Sequence, residues 1–282
     1  MNAIDFLRKD KFSLAGVVIL VFFGCLGLAG PLIAPYDPWY VNRDKEGNPL
    51  FLTTPDSTHL LGTDNMGRDI LSELLHGART VLIVGFLTAF IVVFIGANFG
   101  LLAGYYGGRI DSILMRITDV VYSIPFTPFI IVLVALLRPS ILYVVLALSL
   151  LMWRAPARVI RSQVLGLSKR PFIKAAKVSG ASDLRIVYLH IAPNIMPLVL
   201  LYLATNVAWA ITAEAGISFL GLGDPGLVSW GRMLHLCYMV GAIRVAWWWL
   251  WPPGICIILV TVAIYLISHA FEEIANPRLR KR

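Results

Sequence analysis

The chain has 282 residues, 58% of them hydrophobic and 14% charged, with a mean hydropathy of +0.78. Soluble domains are nearer half apolar and a quarter charged, so this balance argues against a soluble enzyme and for a membrane class. The net charge of +8 and pI near 9.6 arise from basic residues flanking apolar runs, which makes them a topology signal rather than a nucleic-acid footprint.

Arg8, Lys9 and Lys11 precede the first apolar run, residues 12–36. A secretory signal has an apolar core of about 7–15 residues; this run is far longer and reads as an uncleaved anchor that stays as the first helix. Residues 37–79 are rich in Pro, Gly and Asp and form a long outer loop. Its end is apolar at 70, 71, 74, 75 and 78, with Ser72, Glu73 and His76 on the other face. That spacing predicts an amphipathic helix lying in the membrane interface or against the bundle, N-capped by Asp69.

The second run, 81–104, carries Gly96, Gly100 and Gly104 at every fourth position. Such a stripe lets another helix approach closely, although glycine is also simply common in membrane helices. The third run, 120–137, contains Pro125 and Pro128, and the fifth, 191–213, contains Pro193 and Pro197. Proline kinks serve moving gates and also occur in static bundles. The fourth run, 139–153, is short and bounded by Arg138 and Arg154. The sixth, 245–268, opens on Trp247, Trp248, Trp249 and Trp251, either an aromatic belt at the outer end of the span or a sugar-stacking platform.

Six spans with both termini cytoplasmic place most of the 24 Lys and Arg inside, leaving Arg43, Lys45, Arg68, Arg79, Arg138, Arg232 and Arg244 outside. The asymmetry supports the short fourth span, because without it the basic stretch 154–185 would lie outside. The chain thus reads as an all-α polytopic membrane protein in three parts: 1–36, an N-terminal tail and first helix; 37–79, the extracytoplasmic loop; and 80–282, a five-span core. A cytoplasmic loop, 158–190, interrupts that core.

Chemistry-bearing motifs are few. Residues 221–226 match G-x-G-x-x-G, but a membrane helix precedes them and Pro225 interrupts them, so they read as a turn. No G-x-x-x-x-G-K-[ST] occurs. Residues 64–69 lack the spacing and terminal Glu of an EF-hand. The five histidines are scattered, and Cys25, Cys237 and Cys256 form no paired framework. No catalytic residue, metal site or cofactor is expected on this chain. The spans hold almost no carboxylates, with Asp119 and Glu214 near their ends; this weighs against a carrier driven by an ion gradient.

The most informative segment is cytoplasmic, residues 172–194. A short helix through Lys174–Val178, a turn at Gly180, and a cap at Ser182 or Asp183 for a second helix from Leu184 make a helix–turn–helix. Such a unit offers a rigid lever to a cytoplasmic partner; its alternative is an interfacial loop tethered by basic residues.

This segment resembles the E-A-A-x-x-x-G loop of bacterial ATP-binding-cassette importer permeases, here Lys174-Ala175-Ala176 followed by Gly180, Ile191 and Pro193. Residues 59–71 (HLLGTDNMGRDIL), 100–108 (GLLAGYYGG), 214–223 (EAGISFLGLG), Ser229-Trp230-Gly231 and the closing 276–280 (NPRLR) are similar to the second, C-type subunit of the dipeptide/oligopeptide/nickel permease family. The resemblance implies a type I importer permease fold in a bacterial or archaeal cytoplasmic membrane. It also implies a homologous second permease, two cytoplasmic P-loop ATPases holding ATP and Mg, and an extracytoplasmic solute-binding protein. Lys174, Ala175, Ala176, Gly180, Ala181, Ser182, Asp183, Leu184 and Arg185 would form the coupling helix that docks on one ATPase. Gly62, Asp64, Arg68, Asp69, Glu214, Asp224 and Trp230 would line the outer gate or meet the binding protein. Two departures stand out: Lys174 replaces the family's acidic residue, and the segment after Gly223 is short. The second leaves oligosaccharide and nickel open beside oligopeptide as cargo.

Overall fold

The computed structural model describes residues 11–137 and 139–275. Arg8, Lys9, Arg138 and the closing motif at 276–280 lie outside them. Among the described residues the chain is helical, with only isolated bridges at Arg43–Pro49 and Thr63–Asp69 in the outer loop. The helices are α1 (Lys11–Ile33), α2 (Ile70–Tyr106), α3 (Gly108–Ser123), α4 (Phe126–Leu136), α5 (Ile141–Met152), α6 (Arg154–Leu167), α7 (Pro171–Val178), α8 (Asp183–Arg185), α9 (Ala192–Phe219), α10 (Trp230–Met239) and α11 (Trp247–Ala275). A six-residue π turn, Ile186–Ile191, joins α8 to α9.

Among the described residues five helical stretches are long and apolar enough to cross a membrane, or six if the bent pair α3–α4 crosses as one broken span. The expected count of about six fits these five to six stretches, with three changes in where the spans run. First, 70–78 is not a separate interfacial helix. It is the start of α2, a single helix of 37 residues, or about 56 Å at 1.5 Å per residue. Nothing between Ala78 and Val81 breaks it, and its polar side is covered as well as its apolar side: Ser72 and Glu73 are buried beneath the outer loop. Asp69 is the N-cap, accepting from Ser72 N at 2.8 Å.

Second, the chain turns by 81° between α3 and α4, with Pro125 at the N-cap of α4. Pro128 falls in the first turn of α4, where a missing N–H leaves no bond unmade. Third, the fourth span does not end at Arg154. It runs on from α5 into α6 as a stretch of 27 residues, Ile141–Leu167, which puts Arg154 near its middle. Arg154, Arg158 and Arg161 are tolerated there because each has a local partner: the Val121 carbonyl, Asp119 and Asp111 respectively.

Helix α2 is the spine. α6 lies along it where Gly96, Gly100 and Gly104 fall: a Cβ at these positions would sit 2.7 Å from Trp153 O, 2.8 Å from Ala157 O and 2.6 Å from Val164 Cβ. α9 approaches another face at Gly85, where a Cβ would meet Ile211 at 2.6 Å. α1 packs against α2 and α11, with Gly30 against the Leu75 carbonyl and Ser13 Oγ donating to Leu266 O at 3.1 Å. Its opposite side, Val18, Val21, Phe22, Leu28 and Leu32, stays exposed, as a lipid-facing surface requires.

Candidate functional site

The helix–turn–helix expected to act as the lever is built from short-range chemistry. Pro171 occupies the first turn of α7, where its fixed φ suits the helix and its lacking N–H is harmless. Gly180 takes φ +81, Gly180 N donates to Lys177 O at 3.1 Å, and Ala181 N donates to Ala176 O at 3.1 Å. This pair of bonds is a Schellman closure, which needs a left-handed residue and therefore glycine. Ser182 then caps α8, its hydroxyl accepting from Arg185 N.

Burial divides the segment into an anchor and a free face. Ile173, Ile186, Val187 and Ile191 are buried among Leu101, Ile160, Val164 and Ile195, so the lever rests on the α2–α6 pair. Lys174, Ala175, Val178, Ser182, Leu184 and Arg185 are exposed, with Phe172 and Val178 adding apolar surface. Asp183 is held from the membrane side by Tyr105, whose hydroxyl donates to Oδ1 at 2.6 Å, and from α7 by Lys177 Nζ at 4.0 Å. One turn further, Tyr188 donates to Asn98 Oδ1 at 2.7 Å. Exposed apolar and basic groups on a rigid, internally bonded unit can dock on a partner and transmit its displacement to α2 and α6.

The outer cap gathers Gly62, Asp64, Arg68, Asp69 and Trp230 around the N-terminus of α2. Asp69 Oδ1 meets His59 Nδ1 at 3.0 Å, both side chains buried, while Oδ2 also accepts from Ser72 Oγ at 2.7 Å. Asp64 Oδ1 accepts from Met66 N at 2.7 Å and Arg68 N at 2.8 Å, yet burial lifts its carboxyl above the usual aspartate value of 3.8. Gly62, at φ +69, leaves no room for a side chain beside the Trp248 indole, where a Cβ would sit at 2.8 Å. Arg68 and Arg232 lie over the Trp39 ring at 4.9 and 4.7 Å, and Arg68 reaches Glu73 at 3.9 Å. Trp230 is 1% exposed and donates to Leu74 O at 3.0 Å.

The side chains of Asp64, Asp69, Glu214 and Trp230 are buried within this chain. Glu214, in α9, accepts from Ser218 Oγ at 2.6 Å. Asp224 Oδ2 accepts from Ile141 N at 3.2 Å, pinning the loop after α9 to the start of α5. Of the tryptophans in α11, Trp248 and Trp249 are buried and only Trp247 and Trp251 stay exposed, which leaves no four-ring platform. The Trp39 sandwich, the His59–Asp69 contact and the Tyr105 tether were not visible in the sequence, since each joins residues by folding rather than by spacing.

Residues 96–281 match the model of a family described as the binding-protein-dependent transport system inner membrane component, and residues 2–53 match the N-terminal TM domain of oligopeptide transport permease C. A dipeptide transport system permease protein of Bacillus subtilis (strain 168) is 34% identical over 276 residues, covering 98% of this chain and 84% of the relative. The oligopeptide transport system permease protein of the same strain is 31% identical, over 97% of this chain and 88% of the relative. Among solved structures, an inward-facing methionine ABC transporter is similar in fold, with a TM-score of 0.56 at 18% identity over 74% of this chain and 97% of the matched one.

Proposed function

The chain belongs to the binding-protein-dependent transport system inner membrane component family, a permease subunit of an ATP-binding-cassette importer, and from that premise we propose that it moves oligopeptides inward as half of a heterodimeric pathway. Permeases of this kind work with ATPase subunits, a second permease and a solute-binding protein, and ATP is hydrolysed in the separate subunits. The composition we assign is one homologous permease, two cytoplasmic P-loop ATPases that hold ATP and Mg, and one extracytoplasmic binding protein, in a bacterial or archaeal cytoplasmic membrane with both termini of this chain inside. Relatives named for dipeptide and oligopeptide transport favour peptide over oligosaccharide or nickel as cargo.

The observation that carries the mechanism is the lever. The Schellman-closed α7 and the short α8 after it present Lys174, Val178 and Arg185 outward, while Ile173, Ile186 and Val187 seat the unit on α2 and α6. Closure of the ATPases on ATP would push α7 as a rigid body. The tether at Tyr105–Asp183 and the apolar seat would pass that push to the spans, rocking the permease between inward- and outward-facing states. With Lys174 in place of an acidic residue, the docking surface is basic and fits an acidic groove. The test is purification in mild detergent and reconstitution. A second permease and two ATPases should accompany the chain, and uptake of a labelled tripeptide should require ATP and the binding protein. A chain that purifies alone and carries solute without nucleotide is a different kind of transporter.

A further inference from the structure

An open cleft of about 360 Å³ lies between the α3–α4 bend, the α5–α6 junction and α9, lined by Tyr122, Phe126, Met152, Arg154, Asn206 and Trp209. Its depth follows from helix geometry. Arg154 is 13 residues from the start of α5 at Ile141, and Asn206 is 13 residues from the end of α9 at Phe219. Those two ends lie on one side of the protein, since Asp224 just after α9 bonds Ile141 N. At 1.5 Å per residue, Arg154 and Asn206 both sit about 20 Å below the outer ends, deep in a core of roughly 30 Å.

A cation at that depth is costly unless something meets its charge. Arg158 and Arg161 are met by Asp119 and Asp111. Arg154 has no carboxylate among the described residues. One Nη1–H goes to Val121 O at 2.8 Å, a carbonyl freed by the break after α3, and the guanidinium lies over the Tyr122 ring at 4.8 Å. These two contacts hold the side chain in place and leave the rest of its planar fork of donors unused, a shape that matches a carboxylate. Next to it, Asn206 is 8% exposed and spends Nδ2 on Tyr202 O at 2.7 Å, with no partner for its carbonyl oxygen among the described residues. Tyr122, Phe126, Met152 and the 58% exposed Trp209 supply apolar and polarisable walls without shape selectivity.

The geometry points to Arg154 as the anchor for the C-terminal carboxylate of a peptide in transit, with Asn206 accepting from its backbone N–H and the aromatic walls taking side chains of any size. The inference rests on the importer reading above and adds a substrate contact on this chain, distinct from recognition by the binding protein. Because the contact is transient, the site holds cargo by one charge-assisted grip and lets it go when the bend or the junction moves.

The experiment uses the whole importer in nanodiscs without the binding protein, so that selection by that protein cannot contribute. Equilibrium binding of radiolabelled Ala-Ala-Ala is compared with that of its C-terminal amide. The wild type should bind the free acid at least about tenfold tighter than the amide. Arg154→Gln should abolish that difference by weakening the acid alone, Arg154→Lys should retain part of it, and Asn206→Ala should weaken both forms equally. Basal ATP hydrolysis and co-purification of the subunits report that each variant is assembled. An acid preference that persists in Arg154→Gln, equal affinity for both forms in the wild type, or no binding of either overturns the proposal. A variant that loses the second permease instead, with the acid preference intact, assigns Arg154 to a carboxylate of that subunit and also overturns it. Failure of the importer reading shows differently, as a wild-type preparation that lacks ATPases or takes up tripeptide without ATP.

Discussion

The Tyr105 hydroxyl donates to Asp183 Oδ1 at 2.6 Å across 78 residues of sequence, joining the inner end of the longest helix to the first residue of the helix that follows the Gly180 turn. This bond and the apolar seat beneath it make the lever and the spine one body. Replacing Tyr105 by Phe removes the donor and keeps the ring. We expect a loss of about 1–2 kcal/mol in thermal stability of the isolated subunit and a larger fractional fall in uptake than in ATP hydrolysis. A double-mutant cycle with Asp183→Asn should return a coupling of at least about 0.5 kcal/mol. Lys177→Ala, which removes only an exposed pair at 4.0 Å, should do little. Additive effects of the Tyr105 and Asp183 changes would show that the bond carries nothing.

Gly180 is strained for any side chain by its backbone alone, since φ is +81 and nothing lies within 4 Å of a Cβ built there. Gly180→Val therefore costs about 1–2 kcal/mol locally without any clash, and should open the turn. ATP hydrolysis should continue while binding-protein-dependent uptake falls steeply. Gly180→Asn, whose side chain tolerates the left-handed region, should keep most of the uptake. Equal uptake in the Val variant and the wild type would remove the turn from the coupling path.

Close approach, rather than conformation, fixes Gly100. A Cβ there would meet Ala157 O and the Ile160 side chain at 2.8 Å, and a backbone carbonyl cannot rotate away. Gly100→Val should destabilise the fold by about 1–3 kcal/mol, read as a lower midpoint in a detergent melt and reduced monodisperse yield. Gly216→Ala, facing open space in α9, should be neutral or slightly stabilising.

How much of this was legible in the sequence depends on the range of the interactions. The lever was readable because its determinants are local: Gly180 and Ser182 dictate a stop and a cap by their own backbone preferences, while the helix begins at Pro171, three residues before the expected Lys174. The Gly96–Gly104 stripe was readable as a surface but not as a partner; that α6 fills it depends on the span continuing past Arg154. That continuation was hidden because hydropathy treats an arginine as the end of a span. Val121 O neutralises the objection only once the 81° bend has freed it. Likewise the polar residues Ser72, Glu73 and His76 suggested a helix at the membrane surface or against the bundle. The outer loop in fact folds over that polar side, a tertiary event with no periodic signature.

Asp64 gives the outer cap a pH dependence of definite sign. Burial raises its carboxyl above 3.8, so its favourable contribution is complete below that value and is lost as pH rises through the folded-state pKa. Asp44 and Asp56 are lowered by backbone bonds from their neighbours, so their contributions are lost only below about 3.8 on acidification. As pH falls through the raised folded-state pKa, the cap should therefore grow more resistant to opening through Asp64. Limited proteolysis of residues 60–70 should slow on acidification in the wild type, and the slope should be shallower in Asp64→Asn, which keeps the acceptor for Met66 N and Arg68 N. Identical slopes would show that Asp64 does not titrate in this range.

The central claim is that the exposed face of α7 docks on an ATPase and carries its motion into the membrane. Val178 is 89% exposed at the tip of that helix, so a photoreactive residue placed there reports its neighbour directly. In native membranes, illumination should join this chain to a P-loop ATPase, and the adduct yield should change when ATP is added or trapped. A cross-linker at Val178 that captures only lipid or water in every nucleotide state, in an importer that still transports, would contradict the account.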